Sequence, residues 1–282
     1  MTISRPVVFR IILYLSPASV VVYHLRLHRL HYSTVSDTLV IQSHRDPLPY
    51  EWLQSCLDSV RIWAELNCFD YRFIGDELFD PLDAGILQRT KKQIVIATDL
   101  ARLFQIQQAL ARGYQTVIWC DADFLIFHPQ RFELVDAPYA LGREVWIQEN
   151  EKGRLKAYVR VHNAFLMFRQ GNPFLAFYLD TAQRLLDLNT GRMPPQFIGP
   201  KLLSALHNIC QCPIQETAGM LSPLLIKSIL QDEPSAFDLF SMRSSQLPAA
   251  ANLCGSSLES GEVSSDEMQQ LIIRLFAQKL QR

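Results

Sequence analysis

Two aspartates separated by one residue, Asp121 and Asp123, close the apolar run TVIWC at residues 116–120. A carboxylate pair at the rim of a core is poorly solvated and self-repelling, and the run carries no charge to balance it. A hard divalent cation relieves both problems, and Mg²⁺ or Mn²⁺ suits oxygen ligands of this kind. Magnesium characteristically bridges carboxylates to substrate phosphates. Side chains two apart in extended backbone turn to one side, so both can reach one ion. The plainer alternative is a loop whose acids face water. Upstream, Asp99 and Arg102 stand three apart on one helical face. They either flank a ligand or form an internal ion pair.

The elements that position these residues alternate regularly from Asp37 onward. TLVIQ at residues 38–42 reads as a strand, with Gln42 and Ser43 at its polar end. Residues 51–66 read as an amphipathic helix and 71–74 as a second strand. Strand, helix and strand in succession point to a parallel sheet. Residues 91–112 form a long helical pattern, with Ile96, Leu100, Leu103, Phe104 and Leu110 mainly on one face and Gly113 as its stop. TVIWC is apolar on both alternations, as expected of a central strand covered on both faces. In open α/β sheets, ligands bind where such strands end. An apolar run within 158–168, helices over 174–188 and 201–207, a polar surface loop over 248–265 and a last helix over 268–280 complete the pattern. No internal repeat is present.

The 282 residues suit one α/β domain, residues 36–282, preceded by an extension over 1–35. Their 49% hydrophobic content supports a sizeable core. With 27 basic and 28 acidic residues the formal net charge is −1, so nucleic acid has no electrostatic footprint here. The six cysteines include a single C-x-C pair, too sparse for a structural zinc site, and a reducing, cytoplasmic location fits them. At the N-terminus, Arg5 and Arg10 precede the uncharged residues 11–23 (IILYLSPASVVVY), too short for a span and interrupted by Pro17. The basic stretch HLRLHRLH follows at 24–31. A signal peptide, a peripheral contact with an anionic membrane surface, and a poorly ordered extension all remain open.

Several motifs occur in a fixed order. Thr98-Asp99-Leu100-Ala101-Arg102 is followed by Gly113, the apolar strand and Asp121-Ala122-Asp123. His162-Asn163-Ala164-Phe165, Asn172-Pro173-Phe174 and Gly199-Pro200 come next. In this the chain resembles the D-x-D glycosyltransferases of the type A fold, especially the sugar-binding families of yeast-type initiating mannosyltransferases and bacterial capsular sugar transferases. The resemblance runs from about residue 39 to 208. It implies a single Rossmann-like nucleotide-sugar-binding domain with a mostly parallel central sheet.

It also implies a hexose moved from a UDP- or GDP-sugar donor to a carbohydrate or glycolipid hydroxyl, with Mn²⁺ or Mg²⁺ and with retention of configuration. Asp121, Ala122 and Asp123 would contact metal and donor, and Asp99, Arg102 and Asn163 the nucleotide or sugar. Gln42 and Ser43 would hold base or ribose, and Lys201 would neutralise phosphate. Relatives often carry a metal-binding histidine near the C-terminus. The counterpart here is Asn252, in Ala250-Ala251-Asn252-Leu253-Cys254, and no histidine follows His207. Asn252 ligating through its amide oxygen, a substituting water, and impaired activity are the alternatives. A catalytically silent nucleotide-sugar-binding relative is therefore one competitor. A haloacid-dehalogenase-type phosphatase, with Asp121 as nucleophile, is the other; its motif normally carries Thr or Val where Leu125 stands.

Overall fold

The computed structural model describes residues 7–16, 19–27 and 36–277, the first two segments as backbone alone. There β1 (Val7–Ser16) and β2 (Ser19–Leu27) pair antiparallel, which places most of the uncharged run 11–23 in extended backbone. Much of the basic stretch that follows lies outside the described residues. Among the described residues no helix is long and apolar enough to cross a membrane.

From residue 38 the order is β3 (Thr38–Ser43), α1 (Glu51–Leu66), β4 (Asp70–Ile74), α2 (Ala84–Thr90), α3 (Ile94–Ala111), β5 (Thr116–Cys120) and β6 (Phe124–Ile126). Then come β7 (Tyr139–Glu149), β8 (Leu155–Arg169), α4 (Pro173–Leu188), α5 (Pro200–Cys210), β9 (Ile214–Gln215) and β10 (Ala218–Met220). The chain ends with α6 (Pro223–Gln231), α7 (Pro234–Arg243), β11 (Ala250–Asn252), α8 (Ser256–Glu259) and α9 (Ser265–Ala277). Six strands form a mixed sheet in the order β4-β3-β5-β8-β7-β9. Its pairings are parallel except where β8 meets β5 and β7. A smaller sheet, β10-β11-β6, continues from the end of β5.

The central strands are covered on both faces, as their unbroken apolar composition requires. Leu39, Ile41, Val117, Trp119, Leu166 and Phe168 pack with α3 and α4 on one side. The alternate residues Val40, Ile118, Cys120, Phe165 and Met167 pack with α1 on the other. Asn172 caps α4 by accepting from Leu175 N–H at 3.0 Å, with Pro173 pre-set at the first helical position.

Two expectations need correction. The helical pattern over 91–112 begins only at Ile94, and a separate helix, α2, precedes it. Residues 248–265 are not a surface loop throughout: Ala249, Ala250, Ala251 and Leu253 are fully buried, and exposure is frequent only from Ser256 onward. Small side chains look loop-like in sequence, but here they let β11 fit between β10 and β6.

β7 and β8 slip register between Leu141, opposite Leu166, and Gly142, opposite His162. A Cβ on Gly142 would lie 2.1 Å from the His162 ring, so only glycine lets the ring stand there. His162 is fully buried, accepts from Ala164 N–H at Nδ1, and reaches the Ala218 carbonyl through Nε2 at 3.2 Å. That pairing makes it the neutral Nε2–H tautomer, tying β8 to β10.

Gly142→Ala is expected to lose about 1–3 kcal/mol through overpacking, measured as a lower urea midpoint at unchanged slope. Burial holds the His162 pKa down to about 4. Between its ordinary value and that one, the unfolded chain takes a proton that the folded one refuses, so stability falls as pH falls through this window. From pH 7 to pH 5 this removes about 2 kcal/mol. Urea melts of His162→Gln should show an acid loss smaller by about that amount; an equal loss would contradict the assignment.

Candidate functional site

The geometry at the end of β5 follows from strand periodicity. Trp119 faces α3, and Asp121, two residues on, faces the same way. Arg102 of α3 stacks over the Trp119 ring at 5.3 Å. Its guanidinium contacts Asp121 Oδ1 at 3.0 Å and Asp99 Oδ1 at 3.3 Å, and donates to the Asn163 carbonyl at 2.8 Å. Asp121 Oδ1 also accepts from Trp119 Nε1 at 2.7 Å. The pairing of Asp99 with Arg102 and the shared ligand wall are thus one arrangement.

The backbone does not continue extended through the motif. Phe124 N–H returns to the Asp121 carbonyl at 3.0 Å, so residues 121–124 make a turn. Gln42 Nε2 donates to the same carbonyl at 3.0 Å, and Tyr71 hydroxyl donates to Gln42 Oε1 at 3.1 Å. The turn sends Asp123 toward the C-terminal segment. There Asn252 Nδ2 donates to Asp123 Oδ1 at 2.5 Å and Gly255 N–H donates to Oδ2 at 2.7 Å. Asn252 stands opposite Phe124 in the β11–β6 pairing, which accounts for its reach.

The expectation that the acids lack compensation is therefore overturned: a guanidinium and an indole N–H serve Asp121, and an amide and a backbone N–H serve Asp123. Burial, and then the neighbouring Asp121 carboxylate, still push the Asp123 carboxyl upward, against Gly255 and Asn252. Burial raises Asp99 to about 6, against Arg102 and an Asn163 amide that donates at 2.7 Å. Burial also works against the Arg102 charge, but Asp121 and Asp99 outweigh it and hold the guanidinium raised. Asp99 Oδ2 is buried without a protein partner. A Cβ on Gly199 would lie 2.4 Å from it, so the missing side chain there is what lets α5 begin against this carboxylate.

Asp99, Arg102, Asp121, Asp123, Asn163 and Asn252 line one cavity of about 510 Å³. Gln42 does not: it is fully buried and holds the turn from behind. Ser43 and Lys201 do not line the cavity, and Lys201 is exposed at the start of α5. Ala122 is buried in the apolar cluster that also holds residues of α1, α6 and α9, and its side chain does not line the cavity. The Asn252 amide oxygen accepts from Cys254 N–H at 2.8 Å while its Nδ2 donates to Asp123, so this side chain bridges the acid and the backbone at 254. Among the described residues no three His, Cys, Asp or Glu side chains cluster as a ready-made metal cage. Two carboxylates on the wall still fit a hard cation whose other ligands are water and phosphate oxygens.

Sequence reasoning missed the far wall, built by Glu144, Trp146 and Gln148 of β7 with Tyr158 and Arg160 of β8. Burial pushes the Glu144 carboxyl up to about 7, against the pull of Arg160. The available signal was alternation over 144–148, where Val145 and Ile147 are buried between these polar and aromatic residues.

No family model matches the chain, and no curated protein matches it. Among solved structures it is similar to a glycosyltransferase involved in glycosylation of the major capsid of PBCV-1, with 11% identity, 84% of this chain and 98% of that one covered, and a TM-score of 0.45. It is similar to the galactosyltransferase LgtC, solved with donor and acceptor sugar analogs, with 13% identity, coverage of 83% and 95%, and a TM-score of 0.43. A third similar structure is the PaToxG glycosyltransferase, with 12% identity, coverage of 86% and 87%, and a TM-score of 0.33.

Proposed function

We propose that the chain is a metal-dependent glycosyltransferase that moves a hexose from a UDP- or GDP-sugar to a hydroxyl of a carbohydrate or glycolipid, with retention. The observation that carries this reading is the convergence of Asp121, Asp123, Asp99, Asn163 and Arg102 on one cavity at the end of a central strand. Asp121 and Asp123 would hold Mn²⁺ or Mg²⁺, which when bound stabilises the charge of a departing diphosphate. Arg102 orients Asp121 and spreads positive charge over the strand end. Asp99 and Asn163, already bonded to each other, present polar groups to sugar hydroxyls. Gln42 acts by fixing the turn. Retention places the acceptor on the face that the nucleotide leaves, and the leaving phosphate can take its proton.

A second reading has a specific observation in its favour. Arg102 and Trp119 face the Asp121 carboxylate and Asn252 and Gly255 face that of Asp123, the arrangement that a catalytically silent nucleotide-sugar-binding protein would use to hold both acids. Mn²⁺-dependent donor binding separates the two.

In the metal-dependent reading, a panel of UDP- and GDP-sugars with Mn²⁺ raises the melting temperature, with about 2.7 kcal/mol gained at 100 times the dissociation constant. Asp123→Ala is expected to abolish the metal-dependent part of donor binding while leaving the fold intact, as read by calorimetry with and without Mn²⁺. Unchanged metal-dependent binding in the folded variant would sink the assignment. Asn252→His should tighten Mn²⁺ binding in the donor complex, since imidazole suits transition metals better than a neutral amide, while Mg²⁺ should gain less. Equal Mn²⁺ affinities of the two folded proteins at saturating donor would argue that position 252 stands away from the ion.

A further inference from the structure

The β7–β8 hairpin has two unlike faces. Val145 and Ile147 are buried in the cluster that holds Leu225 and Ile226 of α6 and Leu271 and Ile272 of α9. The opposite face is open to the cavity. In register there, Glu144 stands opposite Arg160, Trp146 opposite Tyr158, and Gln148 opposite Lys156. Solvated hairpin faces ordinarily carry charged and small polar residues. This one instead centres on an aromatic pair, both members half-buried, with hydrogen-bonding groups on either side. Lys156 Nζ lies 4.7 Å and Arg160 Cζ 5.3 Å from the Tyr158 ring centre, which holds that ring in place.

Resting on the glycosyltransferase reading, we infer that this face is the acceptor subsite and takes the terminal pyranose of a carbohydrate. A pyranose has an apolar C–H face and a rim of hydroxyls. The first matches Trp146 and Tyr158, and the second matches Glu144, Gln148 and Arg160. The buried Glu144 carboxyl opposes a diphosphate but accepts from a hydroxyl in either protonation state. The nucleotide belongs at the carboxyl ends of the parallel strands β3, β4 and β5, with its diphosphate at Asp121 and Asp123 on the β5 side of the cavity. The wall on β7 and β8 is thereby left for the second substrate.

The test uses saturation-transfer NMR with the methyl α- and β-pyranosides of glucose, galactose and mannose as probes. Donor binding is followed separately by calorimetry with UDP-glucose, UDP-galactose and GDP-mannose plus Mn²⁺. The expected result is saturation strongest on ring C–H protons of at least one pyranoside. Trp146→Ala should weaken it about tenfold or more, Trp146→Phe should keep most of it, and donor affinity should hold in both. Should Trp146→Ala misfold by circular dichroism, Tyr158→Ala carries the same expectation. Pyranoside binding unchanged in a folded variant, or absent from the wild-type protein, overturns the subsite. Pyranoside binding that depends on Trp146 in a protein that takes no donor overturns the glycosyltransferase reading instead.

Discussion

The buried guanidinium of Arg102 is the contact on which the candidate site depends. It is 4% exposed and touches two carboxylates, one carbonyl and the face of an indole. A charge so far from water is tolerated only when partners surround it. Removing one member leaves an uncompensated buried ion, which costs about 3–5 kcal/mol. The helix that carries Arg102, the strand that carries Asp121 and the strand that carries Asn163 are therefore locked by one group. Their relative placement is what turns three separate sequence segments into a single wall.

Behind that wall the support is neutral. Gln42 is fully buried, and both ends of its amide are used, one on the Asp121 carbonyl and one on Tyr71. His162 pins β8 to β10 in the same manner, in a space that Gly142 leaves open. Gln42 looks like a ligand-binding residue in the sequence because it stands near the end of a strand, whereas His162 lies within β8. Their roles are to satisfy backbone groups that the turn and the register slip would otherwise orphan.

Elements determined by local periodicity could be read before the structure. Residues 51–66 are a helix because their apolar positions recur at helical spacing, and 116–120 are a strand because both alternations are apolar. The Asp121–Asp123 pair, the Asp99–Arg102 face and the nearness of Asn252 to the acids were legible for the same reason, or through an ordered set of motifs. Elements determined by distant pairing were not. β11 is three residues of small side chains whose strand character comes from β10 and β6. The alternation over 144–148 marks two faces of the β7–β8 hairpin, but that one of them meets the cavity depends on α6 and α9 covering the other. The compensation of the two acids was misread because, Trp119 aside, its donors Arg102, Asn252 and Gly255 lie far from them in sequence.

That compensation is also unequal, and the inequality bears on chemistry. Asp121 faces a formal positive charge, whereas Asp123 faces only an amide and a backbone N–H. Three carboxylates, Asp99, Asp121 and Asp123, share one guanidinium, so the site's residual negative charge collects at Asp123, on the cavity side. Environments that separate two neighbouring carboxyls in this way are how a protein gives them different tasks. Here one carboxyl is tied into the scaffold through Arg102. The other is left with its charge opposed by dipoles alone, and either a proton or a cation must answer it. A diphosphate entering the cavity would add negative charge beside the same carboxyl, which a proton on Asp123 could offset only in part. A divalent ion shared between the two would offset both.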